Sequence, residues 1–343
     1  MKQLLNTLFV TSEDIYLSLD GENIVANRSG EEVARYPLHT LQGIVSFSYS
    51  GASPALMGAC VQRQIGLSFC TPRGRFLART SGAAQGNVFL RRTQYRMSDD
   101  PVQSCRIARM MIFGKVYNSR WSIERTRRDH ALRIDCSRFQ TVSSQLQELL
   151  SQIAVESSLD SLRGLEGAGA TAYFSLLDDM ILQVKDTFFF HGRSRRPPLD
   201  AFNALLSFAY SLLASDCASA LESVGLDSYI GFLHRDRPGR ASLALDLMEE
   251  LRACFADRFV LTLVNNRVLK ASDFDFRESG AVLLTDQGRK SFLQRWQERK
   301  QELITHPYLE EKIPWGMVPY VQSLLLARFL RGDLEDYPPF LWK

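Results

Sequence analysis

The sequence has no Cys-x-x-Cys pair among its six cysteines, Cys60, Cys70, Cys105, Cys136, Cys217 and Cys254. This argues against a thiolate zinc site. Most of the six sit in apolar segments and read as small, reduced hydrophobes, which points to a cytoplasmic setting. No run reaches the about 18 uninterrupted apolar residues of a membrane helix, so no membrane partner is expected. The longest apolar stretch, 202–214, is broken by Asn203, Ser207 and Ser211 and reads as a core helix. The opening residues, Met1-Lys2-Gln3-Leu4-Leu5, lack the apolar length and cleavage site of a secretory leader. Histidine is scarce, with five in 343 residues, and the formal net charge is only +3. What remains is a chain with 45% hydrophobic and 23% charged residues, able to bury a core and long enough for two domains.

The charge is uneven. Between residues 87 and 133 lie eleven basic side chains, ten of them arginine, against four acids, an excess of seven. The arginine fork suits phosphate, although a solvated helix face with ion pairs would carry the same composition. Short β-prone runs at 4–10, 15–19, 24–26, 33–36 and 43–48 alternate with turn signals at Asp20-Gly21, Ser29-Gly30 and Ser50-Gly51. A helix at 54–65 and strands at 67–70 and 75–79 follow. Ser81-Gly82-Ala83-Ala84-Gln85-Gly86 reads as a linker. Beyond it, apolar residues recur at helical spacing: Ile107/Met110/Met111, Leu146/Leu149/Leu150/Ile153 and Leu176/Met180/Ile181/Val184. Further helices are expected at 200–224, 242–256 and 286–303. The fold class is α+β: a β-rich, sandwich-like domain (1–80), a linker (81–100) and a larger all-α catalytic domain (101–343).

Three segments can carry chemistry. In 242–256, Leu243, Leu247, Leu251, Cys254 and Phe255 share one face, while Asp246 and Glu249 neighbour each other on another beside Ser242, Ala253 and Ala256. Such a pair is either solvated or a metal-binding acid set. His234 lies upstream in Gly231-Phe232-Leu233-His234, in a loop shared with Arg235, Arg237 and Arg240. A lone histidine is either structural or a ligand. Glu166 sits in Gly164-Leu165-Glu166-Gly167-Ala168-Gly169-Ala170, whose small side chains permit close approach of a neighbour at what reads as a helix start. Alone, Glu166 could equally be a first-turn acid favoured by the helix dipole. Carboxylates with one imidazole suit Mg²⁺ or Mn²⁺.

Together these segments resemble the CRISPR-associated integrase, the universal first protein of CRISPR adaptation modules, most closely its type I-C branch. The resemblance rests on Leu165-Glu166-Gly167, on Gly231-Phe232-Leu233-His234 and on the run from Ser242 to Glu250. Phe190-His191-Gly192-Arg193, Arg195-Arg196-Pro197-Pro198, Asn203-Ala204-Leu205-Leu206 and Asn265-Asn266-Arg267-Val268 extend it. It covers most of the chain from Val88 on, and the N-terminal part shares only the layout. It implies metal ligation by Glu166, His234 and Glu249, with Asp246 beside them as orienter or proton acceptor and Tyr210 near the site. Many members carry Asp where this chain has Glu249. It also implies an endonuclease and integrase that joins a protospacer 3′-hydroxyl to a phosphodiester of the CRISPR repeat. Homodimerisation through the β domain, a small ferredoxin-like companion protein, and double-stranded and branched DNA come with it. The side chains expected to hold DNA are Arg91, Arg92 and Arg96, Arg193, Arg195 and Arg196, and Arg235, Arg237 and Arg240. Two other readings remain open: a non-catalytic nucleic-acid scaffold of a defence complex, and a carboxylate-pair hydrolase of sugars.

Overall fold

The computed structural model describes residues 7–12, 14–41, 43–71, 76–80, 82 and 88–343. Of the expected linker (81–100), residues 81 and 83–87 lie outside the described residues, as do residues 4–6 of the first expected strand and Arg75.

Strands β1 (Thr7–Val10), β5 (Gly43–Ser46), β6 (Gly66–Cys70) and β7 (Phe76–Arg79) form one sheet in the order β1-β5-β6-β7. The first two pairings are parallel and the last antiparallel. β2 (Ile15–Asp20), β3 (Asn23–Arg28) and β4 (Glu31–Pro37) make an antiparallel meander. Their inward residues, Leu17, Ile24 and Ala26, share a core with Ile44 and Leu67 of the other sheet and with Leu56 and Cys60 of helix α1 (Pro54–Gln62). Alternation is clear at the start of β2, where Ile15 and Leu17 are buried on either side of the exposed Tyr16, whereas β3 buries Ile24, Val25 and Ala26 in succession and β4 is largely exposed.

The rest of the chain is mostly helical. Helix α2 (Val88–Asp99) fills the second half of the segment expected as linker. The 29-residue helix α3 (Pro101–Asp129) begins where Asp100 accepts the Val102 and Gln103 amides, with Pro101 in the first turn. Around α3 pack α4 (Cys136–Val155), α5 (Leu159–Phe174) and α7 (Ser242–Leu251). α6 (Ala201–Ser223) is apolar and long enough to cross a membrane, yet it is two-thirds buried, as a core helix would be. α8 (Arg258–Asn265), α9 (Asp286–Gln301) and α10 (Val318–Leu330) complete the set.

Three expectations need correction. The segment 176–184 is a series of turns, not a helix. Leu176, Met180 and Ile181 are buried there, but Val184 takes a φ of 50° and Asn265 brackets the chain by accepting from the Leu182 amide and donating to the Met180 carbonyl. The C-terminal part is not all-α: β8 (Phe274–Phe276) pairs with β9 (Val282–Leu284), and β10 (Leu303–Thr305) with β11 (Lys312–Pro314). The expected helix 242–256 ends at Leu251, and a π-helical stretch, Arg252–Asp257, leads into α8. The wider turn changes which side chains face the α3–α5 side.

The two parts of the molecule are bonded to each other. Phe47 packs against Phe208 at 6.1 Å, Arg79 pairs with Glu222 and donates to Ser228 Oγ at 2.8 Å, and Ser68 meets Ser215 at 3.3 Å.

Candidate metal and nucleic-acid site

Glu166 lies in the middle of α5, two turns from its Ser158 cap, and not at a helix start. Of the small residues around it, Gly169 permits the close approach: a Cβ there would stand 3.1 Å from Val116 of α3. Gly164 and Gly167 face open space. With α5 drawn onto α3, Glu166 reaches Lys115.

Lys115 is one of the eleven basic residues between 87 and 133 and lies outside the expected site set. It is 8% exposed, and its ammonium sits between two carboxylates, bonded to Glu166 and 2.7 Å from Glu249 Oε2. Arg252, the first residue of the π-helical stretch, holds Glu249 from the other side at 2.9 and 3.1 Å. Burial pushes the Glu249 carboxyl up, but Arg252, Lys115 and His234 together bring it down to about 2. The Arg252 guanidinium also lies 4.4 Å above the Tyr210 ring, and Tyr210 donates to the buried Asp257. Asp257 and Arg252 sat outside the expected residue set; their relation to Tyr210 depends on the wide turn.

Asp246 and Glu249 are three residues apart on α7, and neither is solvated: Asp246 is 0% and Glu249 4% exposed. They do different work. Asp246 accepts from the amides of Phe232 (2.6 Å), Leu233 (3.0 Å) and His234 (3.0 Å) and from His234 Nδ1 (2.5 Å). It is the anchor of the histidine loop. Gly231 allows this packing, since a Cβ there would come within 2.8 Å of Asp246 Oδ2 and Ser242 Cβ. Arg163 of α5 clamps the loop by donating to the Leu233 carbonyl at 2.9 and 3.2 Å. Gln94 and Ser98 of α2 hold the carbonyls of Ile230 and Gly231 at 2.9 and 2.8 Å.

The Nδ1 hydrogen bond to a carboxylate fixes the proton on that nitrogen and leaves Nε2 as the acceptor. Burial pulls the His234 pKa down, but the hydrogen bond and charge of Asp246 and the charge of Glu249 outweigh it and leave the pKa raised. His234 is thus within electrostatic reach of Glu249.

Among the described residues, no group of three His, Cys, Asp or Glu side chains is gathered closely enough to hold a metal ion. What is gathered is a pair, Glu166 and Glu249, closed on an ammonium. The donor set nevertheless suits a hard divalent ion: two carboxylates already converge on one cation, and the imidazole is presented in the ligating tautomer by a carboxylate behind it.

The nine arginines divide. Arg195, Arg196, Arg235, Arg237, Arg92 and Arg96 are exposed. Arg235 has a partner at 3.4 Å, the equally exposed Asp160. Arg193 is committed inward: it donates to Asn203 Oδ1 (2.7 Å) and Ser207 Oγ (3.0 Å) and lies 5.3 Å above Tyr210. Arg91 bonds the Gly225 carbonyl at 3.1 Å, and Arg240 approaches Ser242 Oγ at 3.3 Å.

Comparison with known proteins places the chain. The family model described as CRISPR associated protein Cas1 matches residues 8–298. The chain is 49% identical over 347 residues to the CRISPR-associated endonuclease Cas1 2 of Rhodospirillum rubrum, and 46% identical over 343 residues to the CRISPR-associated endonuclease Cas1 1 of Chlorobaculum tepidum. Both matches cover 100% of each chain. A solved casposase bound to integration product shares the fold with a TM-score of 0.82 at 22% identity, covering 98% of this chain and 94% of that one. By the match to the family model and by whole-length identity to two relatives, this chain belongs to the Cas1 family of CRISPR-associated proteins.

Proposed function

We propose that the protein is a metal-dependent DNA endonuclease and integrase of CRISPR adaptation, with Glu166, His234 and Glu249 as the ligands of an Mg²⁺ or Mn²⁺ ion. The observation that carries this reading is the convergence of Glu166 and Glu249 on one cation, beside a histidine whose Nε2 is left free by its bond to Asp246. When bound, the ion supplies polarisation of the target phosphodiester and lowers the pKa of the attacking hydroxyl.

The chain's own residues do the rest. Asp246 keeps His234 in the ligating tautomer. Arg252 holds Glu249 ionised and oriented. Tyr210 lies under the Arg252 guanidinium and is itself held by Asp257. The exposed Arg195, Arg196, Arg235 and Arg237 grip DNA phosphates on the rim, with Arg92 and Arg96 further off on α2. With a 3′-hydroxyl as nucleophile the product is joined DNA, and with water it is cut DNA. Double-stranded and branched DNA are the substrates. Homodimer formation through the β domain is supported by the three-stranded sheet, whose outer strands β2 and β4 leave Tyr16, Val33 and Tyr36 exposed. A small ferredoxin-like companion and a cytoplasmic setting complete the proposal; the six free cysteines suit the latter. A sugar hydrolase is disfavoured because Asp246 is committed to four hydrogen bonds and Glu249 to two ion pairs, leaving no acid pair facing a cleft between them.

The test is half-site joining of an oligonucleotide to supercoiled DNA with Mn²⁺ supplied. Glu166→Ala and His234→Ala are expected to abolish joining while both proteins stay folded by circular dichroism. Joining that persists in either variant refutes the ligand set. DNA binding with no metal-dependent joining or cutting by the wild type would instead favour the scaffold reading.

A further inference from the structure

We propose that Lys115 is a built-in counter-cation: its ammonium holds Glu166 and Glu249 together in the metal-free protein and is displaced when a divalent ion arrives. The proposal rests on the metal-site reading above and adds a residue which that reading does not contain.

The argument is one of charge and space. Glu166 and Glu249 come from different helices, and each is at least two-thirds buried, with side-chain exposures of 28% and 6%. Two carboxylates forced together without a cation repel each other, and each has already lost solvation. Lys115 comes from a third helix, with a side chain only 10% exposed, and bonds both. With Arg252 on Glu249, two negative charges meet two positive ones and the cluster is neutral. A divalent ion between the same carboxylates would leave two excess positive charges if the ammonium stayed. It would also need the carboxylate lone pairs that the ammonium now uses. Lys115 is well suited to leave. Its Cα is fixed in mid-α3, but a four-carbon stem with rotatable bonds can carry the charge away, where a rigid arginine fork could not. The receiving group is nearby: Lys115 and the buried acid Asp257 line the same small cavity, with Ser119 and Tyr173. The device lets a site with a deep acid pair stay folded before loading, and the metal then trades one cation for another.

The test uses the full chain and Mn²⁺ alone, without DNA. Calorimetric titration is expected to show Lys115→Met binding Mn²⁺ at least tenfold more tightly than the wild type, since no internal cation competes. Thermal melting without metal is expected to fall in Lys115→Met, and saturating Mn²⁺ to restore it by a larger increment than it adds to the wild type. If Lys115 instead stays on its carboxylates to position them for metal, its removal weakens Mn²⁺ binding, and that result, or an unchanged affinity, overturns the proposal. Should Lys115→Met not fold without metal, it and Lys115→Gln are refolded with Mn²⁺ present, and failure of both overturns the proposal because the ion cannot replace the ammonium. Glu166→Gln separates the two levels. If it weakens Mn²⁺ binding while Lys115→Met leaves it unchanged, only the counter-cation idea falls. If wild type and Glu166→Gln bind Mn²⁺ equally, the metal site falls and the counter-cation idea falls with it.

Discussion

Asp246→Asn changes one atom and tests the link between loop, histidine and metal. The carboxylate now accepts four hydrogen bonds, two per oxygen: Phe232 and Leu233 amides on Oδ2, and the His234 amide and ring Nδ1 on Oδ1. An amide keeps one oxygen and presents an NH₂ group to the other pair of donors. If NH₂ takes the Oδ2 place, two backbone N–H groups lose their acceptor in a fully buried position. At about 1.5–3 kcal/mol for each charge-assisted bond, this placement costs about 3–6 kcal/mol. If NH₂ takes the Oδ1 place, the imidazole can move its proton to Nε2 and accept from the amide at Nδ1. Only the His234 amide is then orphaned, for about 1.5–3 kcal/mol. The second placement is therefore favoured. Its consequence is chemical: Nε2 now carries hydrogen and cannot ligate. The variant is expected to lose about 2–3 kcal/mol in urea unfolding followed by tryptophan fluorescence, and to bind Mn²⁺ about 10- to 100-fold more weakly by calorimetry. A variant as stable as wild type would show that the four bonds do not hold the loop. A destabilised variant with wild-type Mn²⁺ affinity would show that the tautomer of His234 does not govern ligation.

Gly231→Ala puts a methyl within 2.8 Å of Asp246 Oδ2 and Ser242 Cβ, so it is expected to cost about 2 kcal/mol of stability and to lower Mn²⁺ affinity through the displaced loop; wild-type values in both assays would refute the close packing. The pH dependence of His234 has a definite sign: its folded pKa is raised, so the pairing with Asp246 stabilises the metal-free protein fully below the ordinary value of 6.5 and is lost as pH rises through the folded value. His234→Gln is expected to flatten the decline in metal-free melting temperature above that pH, and a slope unchanged from wild type would contradict it.

The β-rich half was legible because its signals are local. Short β-prone runs and Gly21, Gly30 and Gly51, all at positive φ, mark the strands and turns within a few residues of one another. The segment 176–184 was misread because spacing reports which side chains are buried, not which amides pair. Its helical rhythm of Leu176, Met180 and Ile181 is real burial on a non-helical path. Three-residue strands such as β8 and β10 are too short to display a period at all. In the candidate site, Glu166, His234 and Glu249 were singled out by spacing and resemblance, and the structure brings the two glutamates onto one ammonium. Lys115 was not, because nothing in a sequence tells which one of eleven basic residues is buried between two carboxylates. Arg193 fails in the opposite sense: a motif rich in arginine suggested phosphate, but Asn203 and Ser207, ten and fourteen residues later, take its fork. The π-helical stretch after Leu251 was invisible for the same reason, since its apolar pattern is that of an ordinary helix.

The last buried acid of α7, Glu250, ties the site to the far end of the chain and can be tested by itself. Its carboxylate receives Tyr337 OH at 2.6 Å, the Phe340 amide at 2.6 Å and the Gln322 amide at 3.0 Å, and it is 0% exposed. Burial pushes its pKa up to about 8, against these three donors, which pull it down. The folded protein therefore holds this proton more tightly than the unfolded chain does. Its stabilising effect is complete below the ordinary carboxyl value of 4.5 and is lost as pH rises through about 8. The window distinguishes it from His234, whose contribution is constant until pH approaches 6.5. Between those two values the loss belongs to Glu250 rather than to the histidine. Glu250→Gln, neutral at every pH, is expected to flatten the stability curve from pH 4.5 to 8 and to leave the His234 decline in place. The Tyr337 hydroxyl can rotate to accept from the new amide, so the fold is expected to survive. Urea unfolding across that range decides the matter: a wild-type slope between pH 4.5 and 6.5 retained in Glu250→Gln would mean that another group carries it.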